Sequence, residues 1–141
     1  KYIISSKTFI KPIKIVFGYT IQDVLKILEQ EDILIIGRNN SDIKDIDYPN
    51  KLTIHRSKGL EAQKVILVNS DSIPSKIKNE RVLRHVLKEK DYILYEEERR
   101  LFYVALTRTK EDIYIMVNKK ISPFVQELIN KHKNYIEILK K

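Results

Sequence analysis

The chain contains no cysteine. That excludes a disulfide framework and any thiolate metal site, and it fits a reducing compartment. Glycine is almost as scarce, with Gly18, Gly37 and Gly59 the only three. A phosphate-cradling P-loop needs two glycines five positions apart followed by Lys and Ser or Thr, so the sequence holds none. No apolar strand pattern ends in an Asp-Glu pair, and no metal ligand is expected on this chain. No apolar run approaches the roughly 20 residues that cross a bilayer, so no membrane is expected as a partner. The opening Lys1-Tyr2-Ile3-Ile4 does not read as a secretory signal, and a cytoplasmic location is expected. Met116 is the only methionine, which suggests a piece of a longer polypeptide.

What is present reads as one soluble globular domain. The 141 residues are 43% hydrophobic and 33% charged, which fits a single core spanning residues 1–141. The net charge is +8, spread over both halves with no basic arm. Such an excess favours a polyanionic partner through counterion release. Simple solubility of a lysine-rich surface is the alternative.

Periodicity predicts alternating strands and helices. Ile13 to Phe17 reads as a strand, and Thr20 as the N-cap of a helix whose apolar face is Val24, Leu25, Ile27 and Leu28. Asp32 to Gly37 and Lys64 to Val68 are continuous apolar runs, suited to strands buried on both faces. Asn39 to Asn50 is polar and turn-rich, and Leu52-Thr53-Ile54 begins another strand. Ser70 to Lys78 reads as a loop. Glu80 to Lys90 and Glu96 to Lys110 read as helices, Asp112 to Asn118 as a strand, and Ser122-Pro123 as the start of a further helix. Asn134 to Lys141 reads as a last helical turn or two. The pattern predicts an α/β sandwich with a mainly parallel sheet. Ligands bind such sheets at the carboxyl ends of strands, so the residues just after each strand are the ones to inspect.

Three segments carry possible chemistry. Ile33 to Asn40 delivers Arg38 at the end of a buried strand, where a guanidinium could meet a phosphate as a planar fork. A surface arginine paired with a carboxylate such as Asp42 is the alternative. Thr53-Ile54-His55-Arg56-Ser57-Lys58-Gly59-Leu60-Glu61 ends a strand in polar and basic residues, then a glycine, then a carboxylate. Ser57 and Lys58 are natural phosphate partners, Gly59 allows close backbone approach, and Glu61 could accept from a ribose hydroxyl. An ordinary β-turn-α junction is the alternative. Glu96 to Lys110 holds six successive apolar residues, Leu101 to Leu106, and so predicts a helix buried on several sides. Arg108 follows, either favoured there by the helix dipole or aimed at charge on a transferring phosphoryl group.

Glu96-Glu97-Glu98-Arg99-Arg100-Leu101-Phe102-Tyr103-Val104-Ala105-Leu106-Thr107-Arg108 resembles motif VI of UvrD/Rep-type superfamily 1 DNA helicases, E-E-x-R-R-L-x-Y-V-A-x-T-R. The segment from Thr53 to Glu61 resembles their motif V, T-x-H-x-x-K-G-L-E, and Ile33 to Asn40 is similar to motif IV. Ile73-Pro74-Ser75-Lys76-Ile77 suggests the helicase IV branch. The resemblance runs over roughly residues 32–118. It implies a RecA-like three-layer α/β/α sandwich, the second motor domain of an ATP-dependent 3′-to-5′ DNA translocase. The amino-terminal RecA-like domain of the same polypeptide, bearing the P-loop and holding Mg²⁺, would then lie outside this chain.

On that resemblance, Arg38 and Arg108 would reach the ATP γ-phosphate as arginine fingers. Glu61 would bind the ribose, with Gly59 close to the nucleotide. His55, Arg56, Ser57 and Lys58 would touch single-stranded DNA or couple it to the nucleotide, while Tyr103, Arg99 and Arg100 would brace motif VI. Three features depart from the family pattern. Gly37 stands where a larger residue is common, which suggests a looser strand end. Arg56 stands where a small residue is common. Only Ser41 to Lys51 separates the first two motifs, with no inserted accessory domain. A module that binds nucleic acid or protein without catalysis, keeping the motifs as scaffold, is the competing reading.

Overall fold

A computed structural model describes residues 11–29, 32–74 and 88–141. Their strands are β1 (Ile13–Phe17), β2 (Ile33–Gly37), β3 (Lys51–Thr53), β4 (Ala62–Leu67), β5 (Thr109–Val117) and β6 (Ile136–Lys140). They form one sheet in the order β3-β2-β4-β5-β1-β6, with every pairing parallel. The helices are α1 (Ile21–Leu28), α2 (Asn40–Ile43), α3 (Lys88–Leu106) and α4 (Pro123–Lys131).

Side chains on a strand alternate between faces, so each apolar run feeds two cores. One face gathers Ile15, Leu34, Ile36, Val65, Leu67, Ile113 and Ile115 against Phe102 and Ala105 of α3 and Phe124 and Leu128 of α4. The other gathers Val16, Ile35, Ile66 and Met116 against Val24 and Leu28 of α1 and Ile43 of α2. The result is three layers, helix on sheet on helix. Phe102 and Phe124 are fully buried with ring centroids 5.9 Å apart, and each such side chain contributes about 1.5–3 kcal/mol through burial. Helix starts follow local chemistry. Thr20 and Asp23 form a reciprocal capping box, and Ser122 accepts from Val125 N with Pro123 just inside.

Three expectations are corrected. The helix read as Glu96 to Lys110 stops at Leu106, because the ladder with β4 captures the next residues. Thr109 pairs with Ala62, and its hydroxyl donates 3.0 Å to Gln63 O. The tail from Asn134 is not mainly helical. After one 3₁₀ turn at Lys133–Tyr135 it becomes β6, whose register Ile13↔Ile136 covers the otherwise bare edge of β1. Gly37 does not loosen its strand. A Cβ there would sit 2.9 Å from Ile43 Cγ2 and 3.0 Å from Asp42 Cβ, so the glycine lets α2 lie tight on β2. Most of the helix expected over Glu80 to Lys90, and Ser75 to Ile77, lie outside the described residues.

Candidate functional site

An all-parallel sheet has two chemically distinct ends. At the carboxyl end stand Arg38 and Asn39 after β2, His55 and Arg56 after β3, Asn69 and Asp71 after β4, and Asn118 to Lys120 after β5. At the amino end stand Glu61, just before β4, and Arg108, just before β5. The two ends are about six strand residues apart, roughly 20 Å at 3.3 Å per residue.

Arg38 is held firmly. Its Nε donates to Glu98 Oε1 at 2.9 Å and Oε2 at 3.2 Å, and its Nη2 donates to Glu98 Oε2 at 2.7 Å. The side chains are only 18% and 12% exposed, so the pair is half-sheltered from water. Hydrogen bonding to Glu98 raises the Arg38 pKa further above its ordinary value, against the opposing effect of burial. The carboxylate expected as the alternative partner, Asp42, lies close enough to act electrostatically, but Glu98 makes the contacts. This ties the carboxyl end of β2 to the middle of α3.

The segment after β3 crosses the domain. It leaves the carboxyl end beside Gly37, turns through a 3₁₀ turn at His55–Ser57, and reaches the amino end at Glu61. His55, Arg56, Lys58 and Glu61 are exposed. Ser57 is corrected: it is fully buried, and its hydroxyl donates 2.6 Å to Ile54 O, so it shapes the turn from inside and does not face a phosphate. Gly59 has φ +86°, a conformation that favours glycine, and open space where its Cβ would be.

Arg108 is held loosely. Its Nη1 donates to Leu60 O at 3.2 Å and Ser57 O at 3.4 Å, and its Nη2 donates to Thr107 Oγ1 at 3.1 Å. Its Nε is buried without an acceptor among the described residues. Arg108 therefore leans on the backbone of the same loop that ends in Glu61. A cavity of about 710 Å³ opens beside them, lined by Glu61, Tyr103, Leu106, Thr107 and Lys110 among others. The structure thus groups Arg108, Gly59 and Glu61, and separates Arg38 from them.

Sequence reasoning missed two partners. Glu98 shares the stripe of Leu101, Phe102 and Ala105, spaced i, i+3, i+4 and i+7, so a carboxylate there had to find a cation. Asp71 left no such signal. It accepts from the backbone N–H groups of Asn118, Lys119 and Lys120, 49 residues away at the farthest. Of the expected braces, Arg99 contacts Glu127 of α4 and lies over the Phe124 ring at 5.4 Å. Tyr103 is half-buried, edge-on to Phe102 at 5.5 Å, and Arg100 is exposed.

The layers and parallel order define a RecA-like α/β/α domain. The fold is similar to that of the C-terminal domain of a possible DNA helicase from Lactobacillus plantarum WCFS1, with 15% identity and a TM-score of 0.56, covering 96% of this chain and 89% of that one. The family model for the UvrD-like helicase C-terminal domain matches residues 49–120, and the chain belongs to that family. It is 39% identical over 84 residues to DNA helicase IV of Escherichia coli, covering 56% of this chain and 12% of the relative. It is 35% identical over 102 residues to a probable DNA helicase II homolog of Mycoplasma pneumoniae, covering 70% of this chain and 12% of that protein. The chain thus spans about an eighth of the length of these curated relatives.

Proposed function

We propose that this domain is the second RecA-like half of an ATP-dependent DNA translocase moving 3′ to 5′, with the nucleotide at the amino end of its sheet and single-stranded DNA at the carboxyl end. The observation that carries the reading is the path of residues 54–61. One short segment places exposed His55 and Arg56 at one end, and places Leu60 O, which holds Arg108, and Glu61 at the other.

The open space beside Gly59, the exposed Glu61 carboxylate and the unsatisfied Arg108 donor fit a nucleotide approaching from a facing domain. Bound ATP supplies the phosphoryl group whose transfer to water drives movement. Glu61 accepts from a ribose hydroxyl. Arg108 exchanges two long bonds to carbonyls for charge-assisted bonds to phosphate oxygens, which are shorter and stronger. Arg38 is reassigned from finger to brace, since Glu98 already occupies its fork. Magnesium and the P-loop belong to the amino-terminal domain of the same polypeptide. Lys58, exposed between the two ends, contacts DNA or relays its presence.

ATP turnover of the full-length parent, measured with and without single-stranded DNA, tests this. Stimulation by DNA in the parent, with no turnover by the 141-residue chain alone, is expected. A parent that binds DNA but turns over no ATP would establish the competing, non-catalytic reading.

A further inference from the structure

Asp71 presents its carboxylate to the turn that follows β5. Asn118 N donates to Oδ1 at 2.9 Å, and Lys119 N and Lys120 N donate to Oδ2 at 2.7 and 2.9 Å. Three successive N–H groups converging on one anion form a nest, here closed by the chain's own side chain. A second link fixes the same turn from its neighbour. Asn118 Nδ2 donates to Asn69 Oδ1 at 2.9 Å, and Asn69 Nδ2 donates to Asp42 Oδ1 at 2.7 Å. The carboxylates of Asp71 and Asp42 are therefore both engaged by the protein's own donors. Lys119 and Lys120 remain exposed, and no described carboxylate pairs with either ammonium.

The sheet order puts this turn three strands from the His55–Arg56 turn, through β3-β2-β4-β5. At about 4.8 Å per strand, that is roughly 14 Å along the carboxyl end. Between them the end carries the amides of Asn39 and Asn69, with Arg38 neutralised by Glu98. The result is two cationic points joined by a polar floor, a spacing that suits the phosphates of a few nucleotides of extended strand.

We propose that the Lys119–Lys120 turn is a second phosphate-contact point for single-stranded DNA, and that Asp71 is the positioning residue that shapes it. The proposal rests on the reading that DNA lies at the carboxyl end. Bare electrostatics and this proposal disagree about Asp71. Removing a carboxylate from a DNA-binding surface should strengthen binding, whereas unshaping the lysine turn should weaken it.

The test is fluorescence anisotropy of the chain with labelled oligothymidylate across a salt series. Each lost phosphate contact lowers the slope of log K against log salt by about 0.7 for a single strand. K119A/K120A is expected to lower it by about 1.4, Arg56→Ala by about 0.7, and Asp71→Ala to weaken binding despite its added positive charge. If Asp71→Ala fails to melt cooperatively, the lysine double variant decides alone. A wild-type slope in K119A/K120A, or tighter binding by a folded Asp71→Ala, overturns the proposal while Arg56→Ala still reports on the underlying reading. A wild-type chain that shows no salt-dependent binding overturns both.

Discussion

Two arginines at opposite ends of one sheet hold opposite commitments. Arg38 makes three contacts of 2.7–3.2 Å to Glu98 in a half-sheltered pair. Arg108 makes longer contacts to neutral oxygens, 3.1 to 3.4 Å, and leaves its Nε without an acceptor. A guanidinium already matched by a carboxylate gains little from a phosphate, and removing its partner strands a charge. One resting on carbonyls can be drawn away by a stronger acceptor. Both follow strand or helix ends in sequences that resemble helicase motifs, and what differs between them is the partner each one holds.

The largest expected effect lies at the amino end. In the full-length parent, Arg108→Ala should cut ATP turnover by about 10³-fold or more, as loss of an arginine finger does, with a much smaller change in KM. Arg108→Lys should not restore full turnover, because an ammonium lacks the planar fork. Steady-state kinetics beside thermal melting checks this, and wild-type turnover in a stable mutant would remove Arg108 from the site.

Arg38 should break the other way. Arg38→Ala or Glu98→Ala in this chain should cost about 1.5–3 kcal/mol by removing the charge-assisted hydrogen bonds of a partly sheltered pair. Replacing both by apolar residues of similar size should cost much less. Denaturant unfolding measures each. In the parent, any Arg38 variant that stays folded should keep most of its turnover. A stable Arg38→Ala with turnover reduced like that of Arg108→Ala would reunite the two as fingers.

Gly37→Ala is a milder probe of the carboxyl end. The added methyl meets Ile43 and Asp42 at 2.9 and 3.0 Å, so α2 must move, at a cost of about 1–3 kcal/mol in chemical unfolding. Smallest is an acid effect. Burial alone would raise the Asp71 pKa, but the three backbone donors leave it lowered. A carboxylate with a depressed folded pKa adds stability above its unfolded pKa of about 3.9 and loses it as pH falls through the folded value. Asp71→Asn should therefore flatten the acid limb of a stability–pH curve below about pH 4. An unchanged limb would mean the three N–H contacts are not what stabilises the turn.

Much of the architecture was legible because burial leaves periodic traces. The apolar runs Asp32 to Gly37 and Lys64 to Val68 mark β2 and most of β4, and Thr20 and Ser122 mark two helix starts from cap chemistry. The last strand was not legible. Ile136 to Lys140 has little pattern of its own, with Ile138 46% exposed, and its conformation comes from pairing with β1. At the candidate site, the motifs named the segments but not where the fold distributes them. Composition and spacing could not say that α3 runs from one end of the sheet to the other, and so sets Glu98 beside Arg38 while Arg108 emerges beside Glu61. Ser57 shows the same limit: in sequence it stands among exposed cations, and only the 3₁₀ turn puts its hydroxyl inside.

The central claim is that the nucleotide and the DNA take opposite ends of the sheet. Its most direct test is a pair of titrations on the full-length parent, comparing Glu61→Ala with Arg56→Ala. ATP turnover is measured against ATP at saturating single-stranded DNA, and against DNA at saturating ATP. The account predicts that Glu61→Ala raises the KM for ATP and leaves the half-activating DNA concentration unchanged, while Arg56→Ala does the reverse. Glu61→Ala shifting the DNA titration alone, or Arg56→Ala shifting the ATP titration alone, would contradict it.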